Sequence, residues 1–296
     1  MEQKEFKSGF VSIVGRPNVG KSTLMNKLVG ENLSIISPKE QTTRHRIMGI
    51  INGEGYQIVY SDTPGILEPK YALHEAMMNF VKVSLEDADL ILLLVDMQET
   101  YDALIFDRLK KTGTPILLVL NKTDLAKGSQ VTDKIAYWKE HLKDAVAEIV
   151  PVSALKGENV AALLQALVLR LPEHPAYFPQ DELTNRPERF FAAEIVREKI
   201  FLNYEQEVPY SSEVVITDFK EQPDIIRIYA QIYVERPTQK GILIGKNGSM
   251  LKKVGMEARQ DMEAFFQKKV FLETHVKVAK NWRREKNHLK QFGYFE

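Results

Sequence analysis

The spacing of apolar and polar positions changes character along the chain. Between residues 10 and 171, short apolar runs at 10–14, 46–51, 56–61, 90–96, 116–121 and 148–153 alternate with stretches of helical periodicity at 22–29, 72–85, 101–111, 131–142 and 160–171. Such alternation predicts an α/β domain, a doubly wound and mainly parallel sheet with helices on both faces. Ligands of such sheets sit beyond the carboxyl ends of the strands, so the polar residues that end each run are where chemistry is expected. Residues 172–187 contain four prolines and no periodicity, which predicts an extended linker about which two domains could reorient. Beyond it, 188–204 reads as a helix with Phe190, Phe191, Ile195, Ile200 and Phe201 on its apolar face. Strands follow at 213–217 and 225–234, then a short helix opened by Pro237, a glycine turn at 245–248, a helix at 249–266 and a strand at 269–278. The expected domains are 1–171 and 188–296, the second an α+β unit of order α-β-β-α-α-β.

Composition adds three constraints. The 296 residues, 44% of them hydrophobic, suffice for two cores. Net charge is zero, yet residues 236–290 carry 14 Lys/Arg against 5 Asp/Glu, and this net +9 is balanced by −9 elsewhere. A basic segment attached to an acidic remainder suggests a polyanionic partner for the second domain. There are no cysteines, which excludes disulfides, thiolate metal sites and cysteine nucleophiles. The longest aliphatic run, 90–95, is too short to span a bilayer, and the charged N-terminus lacks the apolar core of a signal peptide, so a soluble cytoplasmic protein is expected.

The candidate chemistry falls at the strand ends. After the first run, Gly15-Arg16-Pro17-Asn18-Val19-Gly20-Lys21-Ser22 fits G-x-x-x-x-G-K-[ST], the phosphate-binding P-loop. Its glycines let backbone N–H groups converge on phosphate at the start of a helix, Lys21 would reach the β- and γ-phosphates, and Ser22 would ligate Mg2+. After the third run, Asp62-Thr63-Pro64-Gly65 could be a plain turn; alternatively Asp62 holds Mg2+ through water and the Gly65 amide meets the γ-phosphate. Asn121-Lys122-Thr123-Asp124 ends the fifth run. The Asp124 carboxylate can accept from the N1–H and exocyclic amine of guanine, a donor pair that adenine lacks, while Asn121 and Lys122 brace the loop and cover the base. Ser153-Ala154-Leu155, after the last run, can offer N–H groups to the guanine carbonyl oxygen. The polar stretch 31–45 contains Gln41-Thr42-Thr43-Arg44, and either threonine could complete the Mg2+ shell only while a γ-phosphate is present.

In the second domain, Gly245-Lys246-Asn247-Gly248 between two helices gives the Gly-x-x-Gly loop of a KH fold. Its glycines allow a nucleic-acid backbone to press close, and Lys246, with Lys252, Lys253 and Arg259 on the next helix, supplies positive charge. The element order is that of the type II, prokaryotic KH domain.

Four motifs in this order resemble the translation-factor-related GTPases, and the combination of one P-loop GTPase domain with this KH domain resembles the bacterial Era family over essentially the whole chain. The resemblance implies a GTPase needing Mg2+, with Thr43 rather than Thr42 as the switch ligand and Lys21, Thr43, Gly65 and Asn18 serving catalysis. Ile66 stands where many signalling GTPases have a water-orienting glutamine, implying slow hydrolysis, and Asn18 occupies the position at which potassium-activated relatives hold K+. The implied partners are single-stranded RNA, the 3′ end of small-subunit ribosomal RNA and the small subunit itself, with loose attachment to the cytoplasmic face of the membrane. DNA binding is not expected, and a monomer is.

Overall fold

The computed structural model describes residues 6–37 and 39–295; the first five residues of the charged N-terminus, Pro38 of the polar stretch and Glu296 lie outside the described residues. The chain packs as two compact units. The first takes in residues up to Ser34, Thr43–Glu68 and Met77–Asn185, and the second Ile35–Thr42, Pro69–Ala76 and the chain from Arg186.

The first unit contains β1 (Lys7–Val14), α1 (Lys21–Val29), β2 (Ile47–Gly53), β3 (Tyr56–Asp62), the part of α2 (Ala72–Glu86) from Met77 on, β4 (Leu90–Asp96), α3 (Ala103–Lys110), β5 (Ile116–Asn121), α4 (Gln130–Leu142), β6 (Glu148–Pro151) and α5 (Val160–Arg170). The strands form one sheet in the order β2-β3-β1-β4-β5-β6, parallel throughout except for the β2–β3 hairpin. β4 and β5 read as unbroken apolar runs because both of their faces are covered. Register decides where the polar ends meet: Ile13 stands opposite Asp62, and Asp96 opposite Asn121, so the residues that leave these strands share one edge of the sheet. β1 starts earlier than its apolar run because Lys7 to Ile13 all pair with β3.

The proline-rich segment up to Asn185 belongs to the first unit and turns once, the Glu182 amide donating to the Pro179 carbonyl at 3.2 Å. Buried Gln57 holds it, its Oε1 accepting from the Tyr177 and Phe178 amides at 2.8 and 3.0 Å, and the Ile50 amide donates to the Leu183 carbonyl at 2.8 Å.

The second unit contains α6 (Glu188–Asn203), α7 (Val208–Ser211), β7 (Glu213–Glu221), β8 (Ile225–Val234), α8 (Pro237–Ile244), α9 (Ser249–Phe266), β9 (Lys269–Val278) and α10 (Lys286–Gln291). Its sheet, β7-β8-β9, is antiparallel then parallel, with the core built from alternating β8 residues against Val196, Ile200, Leu243, Val254 and Met262. The sequence does not foretell α7 or α10, since each is short and α10 buries only Leu289. α6 also departs from its expected face: Phe190 and Ile195 are half-buried, whereas Glu194, Arg197 and Lys199 are buried.

Ile228 is fully buried at the centre of this sheet. Ile228→Ala should cost the second unit about 2–5 kcal/mol through lost transfer energy and the cavity left behind. Hydrogen exchange of the full chain should show that loss in the amides of β7, β8 and β9 while those of β1 and β4 keep their protection.

Candidate nucleotide and nucleic-acid sites

The P-loop closes tightly over the end of β1. Gly15 and Gly20 have φ of 153° and 99°, and a Cβ would lie 2.4 Å from the Leu94 carbonyl oxygen at the first and 2.3 Å from Asn121 Nδ2 at the second. Neither position has room for any other residue. Asn18 also takes a left-handed φ of 63°, which asparagine tolerates. α1 then starts with no side-chain cap and no acidic residue in its first turn, leaving its first N–H groups and the positive end of its dipole open to an anion. Lys21 is buried there, donating to the Gly15 and Arg16 carbonyls at 3.2 and 2.8 Å.

Three oxygens converge beside it. Ser22 Oγ donates to Asp62 Oδ2 at 2.8 Å and lies 2.9 Å from Thr43 Oγ1, which is itself 3.4 Å from Asp62 Oδ2. Asp62 is fully buried, and its Oδ1 has no well-formed hydrogen bond. Desolvation pushes its carboxyl above the usual carboxylate range, against the pull of Lys21. Two hydroxyls and a desolvated carboxylate with a spare oxygen fit a hard divalent cation such as Mg2+, which takes oxygen ligands and keeps several waters. The structure brings Thr43, not Thr42, to this point.

The neighbouring loops brace one another. Thr63 Oγ1 donates to the Ile13 carbonyl at 2.8 Å, and the Ile66 amide to that of Gly15 at 3.1 Å. Pro64 and Gly65 follow in the same loop, Gly65 so near that a Cβ would lie 2.8 Å from Pro17 N. Asn121 Nδ2 donates to the Val19 carbonyl at 2.8 Å, and its Oδ1 accepts from the Ala154 amide at 3.0 Å, joining the P-loop to the loop after β6. Lys122 pairs with Asp96 at 3.1 Å, the Thr123 amide donates to the Val152 carbonyl, and Asp124 Oδ1 accepts from Ser153 Oγ at 2.6 Å. Leu155 is exposed. The structure thus gathers all four motifs. It adds partners that no motif announces: Arg16 meets Asp102 at 2.5 Å and Glu99 at 3.9 Å, in the loop after β4. The position of that loop, at another strand end, was the available signal.

In the second unit, Gly245 and Gly248 have φ of 73° and 76°, and Asn247, between them, 52°. Lys246 and Asn247 are exposed. A cavity of about 370 Å3 opens beside the loop, lined by Gly248, Lys252 and Arg259 together with Leu251, Met256 and Leu272. A KH-type loop implies an apolar groove beside it, and the structure names its members, of which Met256 shares the helical spacing of Lys252 and Arg259. Lys253 lies outside this lining and faces Glu257 at 3.8 Å.

A phosphate cradle with a guanine-type loop on a mainly parallel sheet, followed by a Gly-x-x-Gly loop on a three-stranded α+β unit, defines a P-loop GTPase joined to a KH domain. Comparison with known proteins agrees: residues 10–122 match the family described as 50S ribosome-binding GTPase, and residues 207–283 match the KH domain. The chain is 48% identical to the GTPase Era of Syntrophus aciditrophicus, over 98% of this chain and 96% of that one. It also resembles a solved Era in complex with MgGDPNP and nucleotides 1506–1542 of 16S ribosomal RNA, with TM-score 0.94 and 41% identity over 98% of this chain and 100% of that one. A solved Aquifex aeolicus Era variant bound to GDP and aluminium fluoride gives TM-score 0.95 at 41% identity with the same coverage. The chain belongs to the Era family of GTPases.

Burial brings the Lys21 ammonium down to about 8, while Asp62 and Glu99 pull it the other way. A bound polyphosphate would restore the ordinary value, so nucleotide binding should take up a proton above about pH 8 and little near pH 7, and affinity should fall toward tenfold per pH unit on the alkaline side. Calorimetry of GDP binding at about pH 9, in two buffers of different ionisation enthalpy, checks the uptake.

Proposed function

We propose that this chain hydrolyses GTP slowly and uses its nucleotide state to control binding to the 3′ end of small-subunit ribosomal RNA during assembly of that subunit. The observation that carries the reading is the meeting of Thr43 with Ser22 and Asp62, because it joins the polar stretch before β2 to the phosphate site. The full-length likeness to an Era crystallised with MgGDPNP and the 3′ segment of 16S ribosomal RNA supports both halves.

In this proposal residues 1–171 form the GTPase domain, 172–187 the connecting segment and 188–296 the RNA-binding domain. Lys21 and the P-loop amides hold the phosphates. Ser22 and Thr43 hold Mg2+ with Asp62 behind them, and the bound Mg2+ offsets the charge of the phosphate oxygens. Gly65 offers its amide to the γ-phosphate. Asp124 reads guanine, and Ser153, Ala154 and Leu155 line its carbonyl edge. Ile66 packs against the apolar cluster under β4 and has no polar atom with which to orient water, in keeping with slow turnover. K+ held by Asn18 would supply charge there in place of an arginine. The loop Gly245 to Gly248 and the cavity beside it take unstacked bases of single-stranded RNA, with Lys246, Asn247, Lys252 and Arg259 along the phosphates and Lys253 acting only at long range. Among the described residues no helix is long and apolar enough to cross a membrane; the membrane contact in this proposal is loose and peripheral, on the cytoplasmic face. We assign the chain a monomeric state.

A Cβ at Gly248 meets open space, and aspartate tolerates a left-handed φ, so Gly248→Asp should fold. Its carboxylate would obstruct and repel the RNA backbone. Filter binding of a single-stranded fragment from the ribosomal RNA 3′ end should weaken by about tenfold or more, with GTP hydrolysis within about twofold of the parent. Undiminished RNA binding would remove the assignment of the Gly245–Gly248 loop to RNA.

Turnover should rise when K+ replaces Na+ in matched chloride salts, and Asn18→Ala should lose that rise. Equal kcat in both salts for the parent protein would rule out the Asn18 assignment.

A further inference from the structure

Asp96 ends β4 in register with Asn121, the last residue of β5, so it leaves the sheet beside the loop that begins at Lys122. None of the sequence motifs includes it. Its carboxylate is engaged through both oxygens: Oδ1 accepts from the Gln98 and Glu99 amides at 2.9 and 3.1 Å, closing the turn after β4, and Oδ2 accepts from Lys122 Nζ at 3.1 Å. A lysine–carboxylate pair near the surface is ordinarily weak, because two mobile side chains must be ordered together. This carboxylate is planar and anchored to backbone through one oxygen, which fixes the place of the other, and its side chain is only 19% exposed.

The lysine is held at its other end as well. Lys122 has a left-handed φ of 63° ahead of the helical turn Thr123–Leu125; its carbonyl accepts from the Leu125 amide at 3.1 Å, and the Thr123 amide donates to the Val152 carbonyl at 3.2 Å. Asn121, just before it, is buried and bonded to the Val19 carbonyl and the Ala154 amide. With its backbone fixed, the freedom left to Lys122 lies in its four-carbon stem, and an ammonium tethered to Asp96 removes most of that freedom. A stem pinned at both ends presents an apolar strip two residues from Asp124. We infer that Asp96 is a positioning residue for the base site: by holding the Lys122 ammonium it keeps the stem as a cover for guanine and slows the departure of the bound nucleotide. Aspartate is required, because an asparagine could close the turn with its oxygen but would turn an N–H donor toward the ammonium.

The inference rests on the reading of residues 121–124 as the guanine loop, so the test separates the two. Release of fluorescent GDP is timed at one Mg2+ concentration for the full chain and for Asp96→Asn, Lys122→Met and the two combined, with circular dichroism as the fold control. Asp96→Asn, which can keep both amide bonds of the turn, should release GDP about fivefold faster. Lys122→Met keeps an apolar stem without its anchor and should be faster by a similar factor, and adding Asp96→Asn to it should change the rate by less than about twofold. Competition by inorganic triphosphate, which has no base, should be equal in all four proteins. Release at the parent rate by a folded Asp96→Asn overturns the inference. An undiminished effect of Asp96→Asn in the Lys122→Met background also overturns it, by placing the action in the turn, and so does weakened competition by triphosphate, by placing it in the phosphate cradle. Asp124→Asn keeping the parent's preference for GDP over xanthosine diphosphate overturns the guanine reading and the inference with it.

Discussion

The nucleotide site depends on how closely backbones approach one another at the end of β1. The loop after β1 meets the Leu94 carbonyl of β4 at Gly15 and the Asn121 side chain at the end of β5 at Gly20, and the loop after β3 meets Pro17 at Gly65; a single added carbon would lie 2.4, 2.3 and 2.8 Å from these neighbours. Once packed so closely, they are held by a few hydrogen bonds from one loop to the next, Ile66 to Gly15 and Asn121 to Val19 among them. Sheet register does the earlier part of the work by setting Asp62 beside Ile13 and Asn121 beside Asp96.

The same closeness explains the unusual charges. Lys21 is lowered by burial and Asp62 is raised by burial, so each ion is disfavoured in the absence of a partner. No hydrogen bond joins them; Lys21 donates to carbonyls, and the Asp62 carboxylate accepts from the Ser22 and Thr43 hydroxyls. A direct ion pair would satisfy both and close the site. Kept apart, the ammonium suits an anion and the carboxylate a cation, which is the pairing that the proposed magnesium polyphosphate would supply. Strain of this kind lowers the stability of the fold and is characteristic of places that bind or catalyse.

What the sequence disclosed was local. A glycine before a helix, a carboxylate at the end of an apolar run, or a Gly-x-x-Gly between helices has its meaning within a few residues, and those positions lie where the pattern put them. What it withheld was contact across distance. Nothing near Gln57 tells that its amide will hold residues 177 and 178, and nothing near Arg16 names Asp102. Buried Glu194 and Arg197 read as a solvated face of α6 because periodicity sorts residues by polarity, and a paired ion inside a protein violates that rule. The apolar lining of the groove by α9, Leu251 and Met256, reads as ordinary helix core for the complementary reason: an apolar side chain left open for a ligand looks the same in sequence as one that is covered.

The two sites use one device under different confinement. α1 and α9 each begin at a left-handed glycine, Gly20 and Gly248, with no side-chain cap and no acidic residue in the first turn. α3 shows the ordinary alternative, with Asp102 accepting from the Leu104 and Ile105 amides. A helix start that keeps its N–H groups free and its dipole unopposed suits phosphate. The surroundings decide which phosphate. At Gly20 an added Cβ would strike Asn121, so the cradle is enclosed and selects a compact ligand of fixed shape; at Gly248 it would meet nothing within 4 Å, so the helix start lies open along its side. An open start cannot measure a ligand's ends, and that is the property needed to admit the backbone of a polymer passing through.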